Sequence, residues 1–327
     1  MDTINWGMIG CGSVTEIKSG PAFNKVDHSM LMAVMGRDSA KAAAYAARHE
    51  VPHWYDNAAD LVNDPRINAI YVATPPDSHL EYARMAMLAG KPVYVEKPMA
   101  RNAAECETMN TISRETGVPL FVAYYRRALP YFVKIRDLIH EGAIGDIRSV
   151  EVRLHKLPHP DETRGNTPLP WRVIPEIAGG GHFHDLAAHQ LDFLEFALGP
   201  IRHATGFARN QAGLYPADDC VVASLEFESG ALGSGNWCFT APIVPEIDEA
   251  WIIGSHGRIG FSFFKGHTIT VERSTEYEVY NCPYPPHVQQ PLIDLIVRSL
   301  RGGTSSPSTG LTGARASIWM DRITART

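Results

Sequence analysis

Lys97, Asp185 and His189 are the residues of this chain best suited to handling a proton and a developing charge. Lys97 closes the run Val93-Tyr94-Val95-Glu96-Lys97, and Pro98 follows at once. Three strand formers thus end in a charged pair, and a proline with no N–H to donate cuts the strand there. In open α/β sheets, ligands sit outside the carboxyl ends of strands. An ammonium at such a point stabilises alkoxide charge as it forms. Asp185 and His189 lie four apart behind Gly179-Gly180-Gly181, on one face of a predicted helix that runs to about Leu198. A carboxylate beside an imidazole suits acid–base work near neutral pH. The ordinary readings are a solvated Glu-Lys pair and a surface Asp-His pair.

The elements that must position these groups follow from the pattern of the chain. Ile4 to Ile9 is a short apolar run leading into Gly10-Cys11-Gly12-Ser13-Val14-Thr15 and a helical segment. That is the strand–turn–helix context of a dinucleotide-binding loop, in which a pyrophosphate rests on the backbone near Gly12. The third small residue of the fingerprint is Thr15. A second strand, Met30 to Met35, ends at Gly36-Arg37-Asp38. Gly36 has no side chain to bond a ribose, whereas the planar fork of Arg37 matches a 2′-phosphate. NADP(H) is therefore favoured over NAD(H), and a carboxylate at Asp38 is the competing reading. Strands at Trp54-Tyr55, Ala69 to Ala73, Val93 onward and Leu120 to Ala123 alternate with helices, which predicts a doubly wound parallel sheet.

The second half reads differently. Pro130 to His140 is helical, and Ile147 to His155 alternates apolar with polar residues. Leu157 to Pro170 reads as a loop, and Trp171-Arg172 precedes the glycine run. From Arg202 the segments are strand-like and punctuated by glycines, which predicts a large, mostly antiparallel open sheet. Trp237, Phe239, Trp251, Phe261 and Phe263 make that sheet aromatic, either as core or as a face needing cover. The expected division is a Rossmann domain over 1–123 and an α+β domain over 124–327.

The chain has 327 residues and a formal net charge of -6, which gives no electrostatic reason to expect nucleic acid or an anionic membrane. Its five cysteines, none spaced C-x-x-C, read as reduced thiols in a cytoplasmic protein. No signal peptide or membrane span is expected.

With Gly10-Cys11-Gly12, Ala73-Thr74-Pro75 with His79 behind it, and Glu96-Lys97-Pro98, the chain resembles the Gfo/Idh/MocA oxidoreductases. Those are named for glucose–fructose oxidoreductase and inositol dehydrogenase. Tyr125-Arg126-Arg127 and Ser306-Pro307-Ser308-Thr309-Gly310 also resemble runs of that family, and Trp171-Arg172 fits a sugar-reducing branch similar to 1,5-anhydrofructose reductases. The resemblance implies hydride transfer between a nicotinamide and a carbonyl or hydroxyl of a sugar or polyol. It places Gly10, Cys11, Gly12, Ser13, Val14, Arg37, Thr74, Pro75, His79, Glu96, Lys97, Trp171 and Arg172 around the cofactor. Tyr125, Arg126, His182, Asp185 and His189 join Lys97 around the substrate, with Lys97, Asp185 and His189 catalytic. It also implies a homo-oligomer, a dimer or tetramer through the second domain's sheet. His182 and His184 stand where the family commonly has apolar residues. A metal site is not expected there, for want of further ligands, and a bland role for both, or a polar wall of the substrate pocket, is the better expectation. A non-catalytic NAD(P)-binding sensor on the same fold is the alternative, disfavoured because a sensor needs none of the three catalytic residues.

Overall fold

The computed structural model describes residues 2–162, 168–242 and 244–325. The chain divides into two units, 1–129 with 285–315, and 130–284 with 316–327.

The first unit is built on strands β1 (Ile4–Ile9), β2 (Ser29–Met35), β3 (His53–Tyr55), β4 (Ala69–Val72), β5 (Val93–Val95) and β6 (Leu120–Val122). They form one sheet in the order β3-β2-β1-β4-β5-β6, with every pairing parallel. Strands β4, β5 and β6 are buried at every residue. Continuous apolar runs suit strands covered on both faces. The intervening helices are α1 (Ser13–Ile17), α2 (Gly20–Phe23), α3 (Ser39–Arg48), α4 (Ala58–Asn63), α5 (His79–Leu88) and α6 (Ala103–Thr116). Side chains of Asp38, Asn57 and Asn102 cap α3, α4 and α6 by accepting backbone N–H bonds. The order reverses at β1, which pairs with β2 on one side and β4 on the other. Ligands bind at such switch points in open sheets. The core carries polar tips inward. Tyr71 and Tyr94 stack with ring centroids 5.0 Å apart, and Phe23 lies 5.2 Å from Tyr71.

The second unit carries helices α7 (Pro130–His140), α8 (Pro175–Ala178) and α9 (Ala188–Leu198). Two more helices, α10 (Gln290–Leu300) and α11 (Gly310–Ile323), close the chain. The sheet of the second unit has strands β7 (Ile147–His155), β8 (Ile201–Arg209), β9 (Cys220–Phe227), β10 (Leu232–Cys238), β11 (Ile247–Gly254), β12 (Gly257–Phe261), β13 (Thr268–Arg273) and β14 (Tyr277–Asn281). Its order is β14-β13-β12-β11-β7-β10-β9-β8. Only β7 and β10 pair in parallel, because β7 inserts between two hairpin sets. Edge strands β8 and β14 bury almost none of their side chains, which weakens their signal in the sequence. The aromatic residues divide. Trp237, Phe239, Phe261 and Phe263 are buried in their own unit, Trp237 against Phe183, Phe261 and Phe263 against Phe193, and Phe239 against His182. They are core and do not need a partner chain. Trp251 is half-buried, with Arg258 stacked 4.1 Å over its ring. The exposed apolar residues of this sheet are instead Phe207, Val222, Leu232, Tyr277 and Val279.

Candidate active site

Gly10 has φ +104°, and a Cβ there would stand 2.8 Å from the backbone of Ala73, so the turn after β1 needs glycine. A Cβ on Gly12 would meet nothing within 4 Å, and the loop is open on that side. Gly12 is extended and precedes α1, and Ser13 is exposed beside it while Cys11 and Val14 are half-buried. The place of the third small residue is taken by fully buried Thr15, whose hydroxyl donates to the Gly12 carbonyl at 2.8 Å. The helix predicted after the loop is shorter than the pattern implies. It breaks at Ile17 and resumes at Gly20, where Tyr45 packs so closely that a Cβ would stand 2.2 Å from its hydroxyl.

At the end of β2, Arg37 and Asp38 are both exposed. The Asp38 carboxylate is committed to the N-terminus of α3, accepting from the Lys41 N–H at 3.1 Å with the Lys41 ammonium 3.5 Å away.

The loops after β4 and β5 are tied together by His79. Its ring is fully buried, with Nε2 2.8 Å from the Thr74 carbonyl and Nδ1 3.1 and 3.2 Å from those of Pro98 and Met99. Burial lowers its proton affinity more than the facing carbonyls raise it. The Thr74 hydroxyl is hydrogen-bonded to that of Ser78 at 2.8 Å, and the Ser78 hydroxyl lies 3.0 Å from the Pro75 carbonyl. At the end of β5, the Glu96 carboxylate is buried and accepts at 2.6 Å from both the Tyr71 hydroxyl and the Gln289 amide. Gln289 in turn accepts from Tyr94 at 2.7 Å. The backbone N–H of Lys97 closes on Glu96 at 3.1 Å, and the Lys97 side chain is half-buried. Tyr125 and Arg126 are buried in the turn after β6, with the Arg126 guanidinium 5.2 Å above the Tyr125 ring. Arg127 donates to Pro307 at 3.2 Å, and Ser308 donates to the Val122 carbonyl at 2.7 Å.

In the second unit, the glycine run has a distinct physical cause. Gly179 and Gly181 hold φ of +85° and +76°, and a Cβ on Gly180 would lie 2.0 Å from the His184 ring. The following turn, Phe183–Ala187, is π-helical before α9 begins. Single π-turns of this kind recur at functional sites. Arg172 reaches Asp185, Nε to Oδ2 3.5 Å, while its guanidinium stacks 4.4 Å over Trp171. His182 lies 2.8 Å from Glu162, and its ring packs 5.4 Å from Phe239. Burial works most strongly against the Glu162 charge, but the bond and charge of His182 together with His159 outweigh it and hold the carboxyl below its ordinary range. His184 turns away from this group and is buried with Nε2 3.8 Å from Asp321. His189 is buried, its ring 6.3 Å from Phe264. The Asp248 carboxylate fixes that segment by accepting from the N–H groups of Phe263, Phe264 and Lys265 at 3.1, 2.6 and 2.9 Å. Among the described residues, no group of three or more His, Cys, Asp or Glu is placed to hold a metal ion.

The structure therefore brings together Thr74, His79, Pro98 and Met99 in one cluster, Glu96 with Tyr71 and Gln289 in a second, Trp171, Arg172 and Asp185 in a third, and pairs His182 with Glu162. Three of these partners were not legible. Glu162 sits in a polar loop without a motif. Tyr71 looks like a plain strand residue, and Gln289 lies 193 positions from Glu96.

The sequence matches the family described as "Oxidoreductase family, NAD-binding Rossmann fold" over residues 4–124, and the "GFO/IDH/MocA C-terminal domain" over residues 132–260. An oxidoreductase of Formosa agariphila is 40% identical over 318 residues, 97% of either chain. The 1,5-anhydro-D-fructose reductase of Ensifer adhaerens is 29% identical, covering 72% of this chain and 69% of that one. Among solved structures, levoglucosan dehydrogenase in complex with NADH and levoglucosan superposes with a TM-score of 0.86 at 23% identity, over 98% of this chain and 96% of that one. With both halves matched, the chain belongs to the GFO/IDH/MocA family of oxidoreductases and carries its NAD-binding Rossmann fold.

Proposed function

We propose that this oxidoreductase interconverts a hydroxyl and a carbonyl on a sugar or polyol, with NADP(H) preferred over NAD(H). The observation that carries the substrate class is the set of polar side chains around Asp185. Arg172 fixes that carboxylate and Glu162 fixes His182, and partnered polar groups of this kind suit a ligand with several hydroxyls. The names of the Ensifer reductase and of levoglucosan dehydrogenase point to the same class.

The loop Gly10–Val14 fits a dinucleotide, since Gly12 leaves room where a side chain would otherwise block the backbone. A bound nicotinamide supplies or accepts the hydride. The Lys97 ammonium holds the substrate oxygen and stabilises its negative charge. Glu96, anchored by Tyr71 and Gln289, sets the end of the strand from which Lys97 projects. His189 takes up or gives the hydroxyl proton, and Asp185 binds a neighbouring hydroxyl. His79 holds the Thr74-Pro75 and Pro98 loops in register beside the cofactor. Arg37 reads the 2′-phosphate, because Asp38 is already spent on α3. We further infer a cytoplasmic homo-oligomer that uses the open face carrying Phe207, Val222 and Leu232.

Side-by-side titration of NADPH and NADH into the purified protein, followed by tryptophan quenching, tests the cofactor assignment. Tighter NADPH binding, followed by NADPH oxidation with a ketose or aldose, is expected. Binding of neither nucleotide overturns the reading.

A further inference from the structure

Three contacts fix the ring of His182, and one of its two nitrogens is left over. Nε2 lies 2.8 Å from the Glu162 carboxylate. That carboxyl is held below its ordinary range, so it is charged and only accepts. Nε2 therefore carries the proton. The buried rings of Phe239 and Tyr215 supply the other two contacts, Phe239 at 5.4 Å between centroids and Tyr215 edge-on at 5.9 Å. Tyr215 is itself pinned. The Asn210 amide donates to its carbonyl at 2.6 Å, and buried Asp219 accepts from the Gln211 and Ala212 N–H groups at 2.9 and 2.7 Å. A Cβ on Gly181 would stand 2.4 Å from that of Ala217, so the same loop packs onto the glycine run only because a glycine is there. A neutral imidazole that donates at Nε2 keeps a lone pair at Nδ1. Among the described residues Nδ1 has no hydrogen-bond partner, and 13% of the His182 side chain stays exposed.

We propose that Glu162 is a positioning residue that holds His182 as the Nε2–H tautomer, so that Nδ1 accepts a hydrogen bond from one substrate hydroxyl. This rests on the sugar or polyol reading above and narrows it to substrates with a free hydroxyl at that point. An O-methyl ether or a deoxy carbon has no proton to give and leaves Nδ1 unpaired, which costs about 10- to 100-fold in affinity. An imidazole free to change tautomer would offer a donor or an acceptor alike and would not tell a hydroxyl from an ether. The Glu162 bond removes that freedom, and the two aromatic rings keep the imidazole from turning over.

The test has a spectroscopic arm and a kinetic arm, both on the full chain. Nitrogen-15 histidine spectra are recorded at about pH 9, above the range in which imidazoles titrate, with the His182 signals identified by their loss in His182→Gln. The wild type and Glu162→Gln, whose amide oxygen still accepts, should show the Nε2–H tautomer, and Glu162→Ala should show a mixture. For the kinetic arm, D-glucose, D-fructose, D-xylose and myo-inositol are screened with both nicotinamide nucleotides, and the best substrate is compared with its mono-O-methyl analogues. Glu162→Ala should raise KM about 10- to 100-fold, with kcat moving by less than about threefold, and Glu162→Gln should recover most of the loss. One O-methyl analogue should be rejected by the wild type to a similar degree and lose little more in Glu162→Ala. An Nδ1–H tautomer in the wild type, or a tautomer or KM indifferent to Glu162→Ala, overturns this inference alone. Absence of turnover with every sugar and polyol overturns the substrate class, and this use of Nδ1 with it.

Discussion

The Gln289 amide donates to the Glu96 carboxylate at 2.6 Å across 193 positions of sequence. The carboxylate is buried, and the Tyr71 hydroxyl is its other close side-chain donor. Gln289→Ala leaves a buried charge short of a donor and Tyr94 short of an acceptor. It should destabilise the fold by about 1–3 kcal/mol. Urea unfolding checks this, as a lowered midpoint at unchanged slope. An unchanged midpoint would show that water replaces the amide at no cost.

Lys97→Ala should lower turnover by about 10³-fold, the scale of removing a charge-stabilising donor. Nucleotide binding, measured by fluorescence quenching, should be retained. Near wild-type turnover removes Lys97 from the chemistry.

Asp185→Asn removes the charge that Arg172 faces at 3.5 Å. Loss of a charged hydrogen bond to substrate should weaken kcat/KM by about 10- to 100-fold. Steady-state kinetics with the best sugar substrate decide it. The assignment fails if kcat/KM is unchanged.

Arg37→Ala should weaken NADPH far more than NADH, while Asp38→Ala should leave the ratio unchanged and only loosen the start of α3, which Asp38 caps. Parallel titrations of both nucleotides separate the two. Equal losses in the first variant, or a lost NADH site in the second, would transfer the ribose contact to Asp38.

His79 is buried with its proton affinity below the ordinary value of 6.5. Below that pH the unfolded chain binds a proton that the folded chain resists. The His79 contribution to stability is therefore full at neutral pH and is lost as pH falls from 6.5 toward the lowered folded value. The slope for one such proton is at most about 1.4 kcal/mol per pH unit. Denaturant unfolding from pH 7.5 to 5 should show less acid sensitivity in His79→Gln than in the wild type. Parallel curves would show that His79 is not the group that resists the proton.

Much of the fold was written locally. Fully buried strands such as Ala69–Val72 and Val93–Val95 appear as unbroken apolar runs because both faces are covered. The long antiparallel strands appear as alternation because one face meets solvent, as in Ile147–His155. Gly10 announced a turn because only glycine tolerates its positive φ and the nearby Ala73 backbone. The edge strands β8 and β14 had a weaker signal, since neither has a buried apolar face.

By itself, the sequence determined the two fold classes and the glycine loop, because each rests on spacing along the backbone, and it supplied Lys97, Asp185 and His189 as candidates. Only the tertiary structure decided the partners. Gln289 reaches Glu96 through the packing of distant segments, and Glu162 meets His182 across 20 positions of sequence. His184, two residues from His182, turns instead toward Asp321 because the π-turn and Gly180 make room for its ring there. Hydrogen bonds between distant segments depend on where chains pass in space, and no local pattern encodes that.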